Sequence, residues 1–422
     1  MHVAANCPPT PTAWPSPVVA DSLLGSSVAC WAATAEAAGS YWGGALERRA
    51  TPLDVAEDAL RWWEVMTDRR PPRWSSPNVV VRDWGHARLR DLSQGSTDDV
   101  VGTLLLPPQA GHDSCIVDFS DGQSQVQVIR AAGLTRVWSL DWVGATAATR
   151  DASIDDYLRS VRESVEVIGG PVNLVGDCQG GWLAAIYAAL HPEDVHTLTI
   201  AGAPIDFHAD RALIHGYVET CDPAGDMAFY RRVVAAAGGV LPGQSMLGGF
   251  IAMKPESEVE RQLQLLGALD DPVHLDRYRE FEDWFKHTQA IPGAFYLWIV
   301  EHLFRDNALI AGELDIHGRR VDLAAIDCPL YLLAGETDHI TPPGQVFAMA
   351  GAVSTAPEEI VQRTTSGGHL GLFMGREALR EHWPPLMADV AARSREASRQ
   401  LAERRARAGT APAPGVPPLP AP

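Results

Sequence analysis

The chain has 422 residues, 46% of them hydrophobic, which suits one large α/β domain with an insertion, or two domains. A formal net charge of −19 argues against a nucleic-acid partner, and no run of about 18 apolar residues offers a membrane span. The six cysteines (Cys7, Cys30, Cys115, Cys178, Cys221 and Cys328) are scattered with no CxxC pair, so neither a disulfide framework nor a metal site is expected and the compartment reads as a reducing cytoplasm.

Residues 1–100 read as an N-terminal helical and hairpin region. Residues 1–17 form a Pro-rich leader with neither the basic start nor the apolar stretch of a secretory signal. Residues 28–48 and 52–67 carry Ala, Leu and Trp at helical spacing, with Thr51 placed to cap the second helix and Pro52 at its first position. Trp42, Trp62 and Trp63 read as packing residues. Residues 78–91 alternate around Asp83-Trp84-Gly85-His86 and predict a hairpin.

The first part of an α/β core follows over residues 101–204. Buried strands are predicted at 103–106, ending at Pro107-Pro108, and at 137–142; a further segment opens at 115–119. Helices are predicted at 123–132 and 154–168. Then comes Val172-Asn173-Leu174-Val175-Gly176-Asp177-Cys178-Gln179-Gly180-Gly181-Trp182-Leu183, a β-branched and aliphatic run, a Gly-x-Cys-x-Gly-Gly turn, and an Ala-rich helix over 183–190. A lone Cys after an ordinary βα turn is usually just buried. Strand, tight turn and helix with flanking glycines instead match the nucleophile elbow of α/β-hydrolases, here with Cys in place of Ser. A thiol above a helix N-terminus is favoured as thiolate, the reactive form. A strand at 197–201 completes this half, and the βαβα alternation implies a mostly parallel sheet with helices on both faces.

Over residues 205–325 the alternation stops, and an aromatic-rich, mostly helical stretch too long for a loop reads as a cap inserted after the sixth strand. The core resumes over 326–393, with strands at 330–334 and 360–363 and a helix over 376–393. Residues 394–422 are an Arg-rich stretch and then an Ala/Pro tail.

In an α/β-hydrolase the acid and then the His follow the nucleophile. Asp338 lies in Gly335-Glu336-Thr337-Asp338-His339-Ile340-Thr341-Pro342, at the mouth of a strand, and His369 in Gly367-Gly368-His369-Leu370-Gly371 after the last strand. Cys178 as nucleophile, His369 as base and Asp338 as orienting acid make a triad in the expected order. Glu336 is the rival acid and His339 the rival base. The Gln179 N–H is the expected first oxyanion donor, and the loop over 108–112 should hold the second.

These motifs resemble the polyhydroxyalkanoate synthases, most closely the short two-subunit type or a synthase-like branch. The resemblance covers roughly residues 100–390 and rests on the elbow together with Leu104-Leu105-Leu106-Pro107-Pro108, Asp118-Phe119-Ser120 and Ser139-Leu140-Asp141-Trp142. It also rests on Phe295-Tyr296, Asn307, Gly312, Val321-Asp322-Leu323 and the Asp338 and His369 motifs. Residues 144–150 and much of 207–240 depart from it. The resemblance implies an α/β-hydrolase-fold acyltransferase that polymerises (R)-3-hydroxyacyl-CoA through acyl-enzyme thioesters. It implies no cofactor, a partner subunit or homodimer, and work at polyester granules. The competing reading is a thiol hydrolase, either an intracellular depolymerase of such polyesters or an acyl thioesterase.

Overall fold

The computed structural model describes residues 17–96 and 99–409. Eight strands form one sheet: β1 (Val79–Asp83), β2 (Ala87–Asp91), β3 (Thr103–Leu106), β4 (Val137–Trp142), β5 (Val172–Asp177), β6 (Val195–Ala201), β7 (Leu330–Gly335) and β8 (Ile360–Thr365). Their spatial order is β1-β2-β4-β3-β5-β6-β7-β8. From β4 onward every pairing is parallel, whereas β2 runs antiparallel to β1 and β4. One antiparallel strand, β2, near one edge and a single crossover of β3 and β4 in an otherwise parallel sheet are the topology of the α/β-hydrolase fold, so the expected class holds.

Strands β3, β4, β5 and β7 are buried at every position, as mostly apolar strands covered on both faces are. Helices α3 (Gln125–Ala131), α4 (Ile154–Ile168) and α5 (Gln179–Leu190) supply part of that cover. The ends of α4 are those its sequence dictates: the Asp156 carboxylate accepts from Ser153 N–H at 2.8 Å, and Gly169 closes the helix at φ 93°.

Two compact units divide the described chain. The larger runs from Pro71 to Leu247 and resumes at Asp283, and it contains the sheet. The smaller joins the N-terminal residues up to Arg70 with Gly248–Glu282. In it, α1 (Pro17–Glu47) packs along a later helix, Pro255–Gly267, with Ala37 and Ala45 buried. The next helix, α2 (Pro52–Thr67), has the capping box that Thr51, Pro52 and Asp54 predict. A buried Glu282 holds this unit together, ion-paired with Arg69 at 3.3 Å and Arg261 at 2.7 Å.

Several expectations meet the structure with shifted bounds. Helix α1 begins at Pro17 instead of residue 28, because proline is tolerated in a first helical turn. The stretch 115–119 is a 3₁₀ turn, Ser114–Val117, followed by a short strand, Asp118–Ser120. The final helix is offset: a π turn, Ala378–His382, precedes Trp383–Gly409, whose first turn absorbs Pro384 and Pro385. The leader over 1–16 and the tail over 410–422 lie outside the described residues. Among the described residues no helix is long and apolar enough to cross a membrane.

Candidate active site

Strand β5 delivers Cys178 to the turn before α5. Its backbone sits at φ 49°, ψ −117°, a conformation that L-residues rarely adopt, and its N–H is tied to the Ala201 carbonyl at 2.9 Å. That geometry explains the glycines around it. A Cβ on Gly176 would lie 2.5 Å from the Gly180 carbonyl oxygen, and one on Gly180 only 1.8 Å from the Leu106 carbonyl oxygen. The elbow is thus pressed against the end of β3, and only hydrogen fits at these positions.

Asp338 follows β7 and His369 follows β8, so the parallel pairing of those strands brings the two turns together. His369 Nδ1 lies 2.7 Å from Asp338 Oδ2. The other carboxylate oxygen, Oδ1, accepts the N–H groups of Ile340 and Thr341, each at 2.9 Å. Both side chains are buried. Burial disfavours the His369 imidazolium, but Asp338, and then Cys178 as charge and hydrogen-bond partner, outweigh it and hold its pKa well above the usual histidine value. Cys178, His369 and Asp338 are therefore brought together. Of the rivals, Glu336 is exposed, with its N–H on the Thr365 carbonyl, and His339 is half-buried beside it in the same turn.

Gln179 is the first residue of α5, so its N–H belongs to the first-turn amides that have no intrahelical acceptor. The loop after β3 is fixed by side-chain and backbone donors from later in the chain. Trp142 Nε1 donates to the Pro107 carbonyl at 2.7 Å, Trp284 Nε1 to the Asp113 carbonyl at 2.9 Å, and Gln289 N–H to the Gly111 carbonyl at 2.8 Å. His112 stacks on Trp284 and Phe285, and burial lowers its pKa to about 4, so it stands neutral. Two of the motif residues also prove to be braces. Asp118 accepts from Ser76 N–H at 2.6 Å and from the Ser124 hydroxyl at 2.6 Å, and Asn307, at φ 50°, joins Asp206 Oδ1 to Phe207 N–H.

Other polar groups near the site escaped the sequence reading. Asp177, beside Cys178, is buried; Gln125 Nε2 reaches its Oδ1 at 3.3 Å, while its Oδ2 has no partner. Burial raises its pKa to about 8 against the opposing pull of Gln125 and His369, so at neutral pH this carboxyl is mostly protonated. Gln109, in the loop after β3, is buried, and its side chain acts as a hydrogen-bond partner of the buried Tyr157 hydroxyl. Tyr157 stacks on Phe295 with ring centres 3.8 Å apart. The only available signal was an Asp inside an aliphatic run for Asp177, and a Gln directly after Pro-Pro for Gln109. Burial, with acidic neighbours, pushes the Cys115 thiol strongly up and the Cys328 thiol up to about 12. His191, Glu193 and Asp194, whose donor atoms lie within 4.8 Å of one another, could hold a metal, but they follow the far end of α5 and take no part here.

The family described as protein of unknown function (DUF3141) matches residues 102–391. The chain is 27% identical over 305 residues to the poly(3-hydroxyalkanoate) polymerase subunit PhaC of Allochromatium vinosum, covering 70% of this chain and 82% of that one. It is 26% identical over 327 residues to the subunit of the same name from Haloferax mediterranei, covering 76% and 64%. Among solved structures, a carboxylesterase of Nitrososphaera gargenis superposes with a TM-score of 0.45 at 16% identity, covering 76% of this chain and all of that one. With the match spanning more than half its length, the chain belongs to the DUF3141 family; it has the α/β-hydrolase fold and is similar in sequence to poly(3-hydroxyalkanoate) polymerase subunits.

Proposed function

We propose that the protein is a polyhydroxyalkanoate synthase-like acyltransferase acting on (R)-3-hydroxyacyl-CoA. The observation that carries this reading is a strained elbow cysteine beside a buried His–Asp pair, in a chain similar to polymerase subunits. Cys178 gives its proton to His369 and its sulfur attacks the thioester carbonyl. The C–S bond to CoA then breaks, His369 returns the proton to the CoA thiolate, and Cys178 carries the acyl group as a thioester. Asp338 fixes the His369 tautomer and stabilises the imidazolium. The developing oxyanion takes the Gln179 N–H and one from the loop after β3, where Gln109 offers the first N–H after two prolines.

Chain growth repeats the step with a different nucleophile. A 3-hydroxyl gives its proton to His369, attacks a waiting acyl thioester, forms the ester bond and releases the Cys178 thiol. Cysteine suits this role better than serine. Exchange of one thioester for another is nearly balanced, so the acyl group stays reactive toward the next hydroxyl; an oxyester would lie lower. Scattered cysteines and a CoA substrate support a cytoplasmic location, with the growing polyester and either a synthase subunit or a second copy of the chain as partners.

Incubation with (R)-3-hydroxybutyryl-CoA, following CoA release and product form together, tests the reading. Release of CoA with enzyme-bound or insoluble oligomer is expected. Stoichiometric free 3-hydroxybutyrate without oligomer, under any partner condition, would place the protein among thiol hydrolases.

A further inference from the structure

The loop after β3, from Pro107 to Asp113, is held at both ends. At its start Trp142 Nε1 donates to the Pro107 carbonyl at 2.7 Å. Its far end is clasped by residues 284–289. Trp284 Nε1 donates to the Asp113 carbonyl at 2.9 Å, the Gln289 N–H to the Gly111 carbonyl at 2.8 Å, and Gln289 Nε2 to Asp113 Oδ2 at 3.2 Å. His112 pairs with Thr288 in an antiparallel bridge, and its ring lies on Trp284 and Phe285 with centres 4.9 and 5.5 Å away. Between the two ends stands Gln109, whose N–H is the proposed second oxyanion donor.

Close backbone packing leaves this clasp little slack. Gly111 stands at φ 83°, and a Cβ on it would lie 3.0 Å from Met246 Cβ; a Cβ on Gly243 would lie 2.4 Å from the Gln289 carbonyl oxygen. The chain runs out into the smaller unit after Leu247 and returns at Asp283, so both flanks of that excursion close on the same glycine. The loop has little to hold it from within. Pro107 and Pro108 have no N–H, so partners outside the loop must set its course.

An oxyanion donor acts only when it is aimed at the point where charge develops, and a misplacement of about 1 Å is enough to lose it. Gly111 is two residues from Gln109, so a shift at the clasp reaches the donor. The Asp113 carboxylate is where the clasp can be altered without touching its backbone bonds. Its Oδ1 accepts from the Cys115 N–H at 2.9 Å, while Oδ2 takes the Gln289 amide. Gln289→Glu therefore sets two carboxylates face to face. Adding Asp113→Asn reverses the polarity of the contact: the Asn oxygen keeps the Cys115 N–H, and its NH₂ donates to the new carboxylate.

We infer that Trp284 and Gln289 are positioning residues, which hold the loop after β3 in the place its oxyanion donor needs. The inference rests on the proposed acyl transfer at Cys178. Two readouts on the full chain test it: CoA release from (R)-3-hydroxybutyryl-CoA, and the rate at which iodoacetamide alkylates Cys178. Alkylation displaces iodide at a saturated carbon and forms no oxyanion, so it reports the thiolate alone. Gln289→Glu should lower kcat about 100-fold with KM within about threefold of wild type and the alkylation rate unchanged. The double variant Gln289→Glu/Asp113→Asn should return to within ~5-fold of wild type. Trp284→Phe, which deletes one donor and keeps an aromatic ring, should lower kcat about 10-fold in the same manner. A wild-type chain that releases no CoA would overturn the catalytic reading and this inference with it. An active wild type with an equally active Gln289→Glu or Trp284→Phe would overturn this inference alone. So would a loss of kcat and alkylation together that Asp113→Asn does not restore, since the contact would then be structural only.

Discussion

Asp338→Asn removes one charge and almost no volume, which makes it the most informative single change. In the native site Oδ1 faces two N–H donors, those of Ile340 and Thr341, while Oδ2 faces His369 Nδ1. An asparagine must turn its NH₂ toward one side or the other. Turned toward the backbone donors, it leaves them buried and unmet at about 1–3 kcal/mol each. Turned toward His369, it donates to Nδ1 and moves the ring proton to Nε2, which can then no longer accept from Cys178. The second arrangement costs less and leaves the wrong tautomer, so a loss of about 10⁴-fold in turnover is expected, by analogy with the Ser-His-Asp template.

The same substitution carries a pH signature. His369 has a raised pKa in the fold. Its charge therefore contributes stability fully below the unfolded value near pH 6.5, and that stability is lost as pH rises through the folded value. Without the Asp338 anion, burial pulls the imidazole pKa down, so the wild-type advantage in urea unfolding should be largest near pH 6 and shrink in alkali. The assays are CoA release from 3-hydroxybutyryl-CoA and urea unfolding across pH. Activity within ~10-fold of wild type, with Glu336→Gln the more damaging change, would refute this assignment of the acid.

Three further outcomes are expected. Gly180→Ala drives a Cβ against the Leu106 carbonyl at 1.8 Å, so the elbow must shift; turnover should fall at least 100-fold in CoA-release assays, since a misplacement of about 1 Å can cost that much, and near-normal activity would show the elbow to be pliant. Cys178→Ala should abolish turnover, whereas Cys115→Ala and Cys328→Ala should retain it; iodoacetamide followed by peptide mapping should label Cys178 before Cys115 or Cys328, and the reverse order would point to another nucleophile. Asp177 stays protonated in the fold up to about pH 8 but ionises near 3.9 when unfolded, so stability falls as pH rises between those values. Asp177→Asn should therefore gain on wild type in urea unfolding from pH 5 to 8.5, and a pH-independent difference would contradict the buried neutral carboxyl.

Much of this architecture is legible in the sequence, for a physical reason. Strands buried on both faces are mostly apolar, so β3, β4, β5 and β7 are visible as short runs. The elbow is visible because close backbone approach leaves glycine alone at Gly176 and Gly180. The order acid then His follows from the strands that carry them. What stays hidden depends on contacts across the chain. Nothing local in Asp118 says that it braces Ser76 and Ser124, and nothing in Gln109 or Tyr157 says that their polar atoms end up together in the interior. The grouping of Gly248–Glu282 with the first helices is hidden for the same reason, since Glu282 meets Arg69 only in three dimensions.

The central claim is that Cys178 holds a growing polyester as a thioester. Intact-mass and peptide-mass spectrometry after brief mixing with (R)-3-hydroxybutyryl-CoA tests it most directly. The expected result is a ladder of adducts, spaced by one hydroxybutyryl unit, on the peptide that contains Cys178 and absent from Cys178→Ala. The same ladder on Cys178→Ala, or free 3-hydroxybutyrate with no adduct longer than one unit, would contradict it.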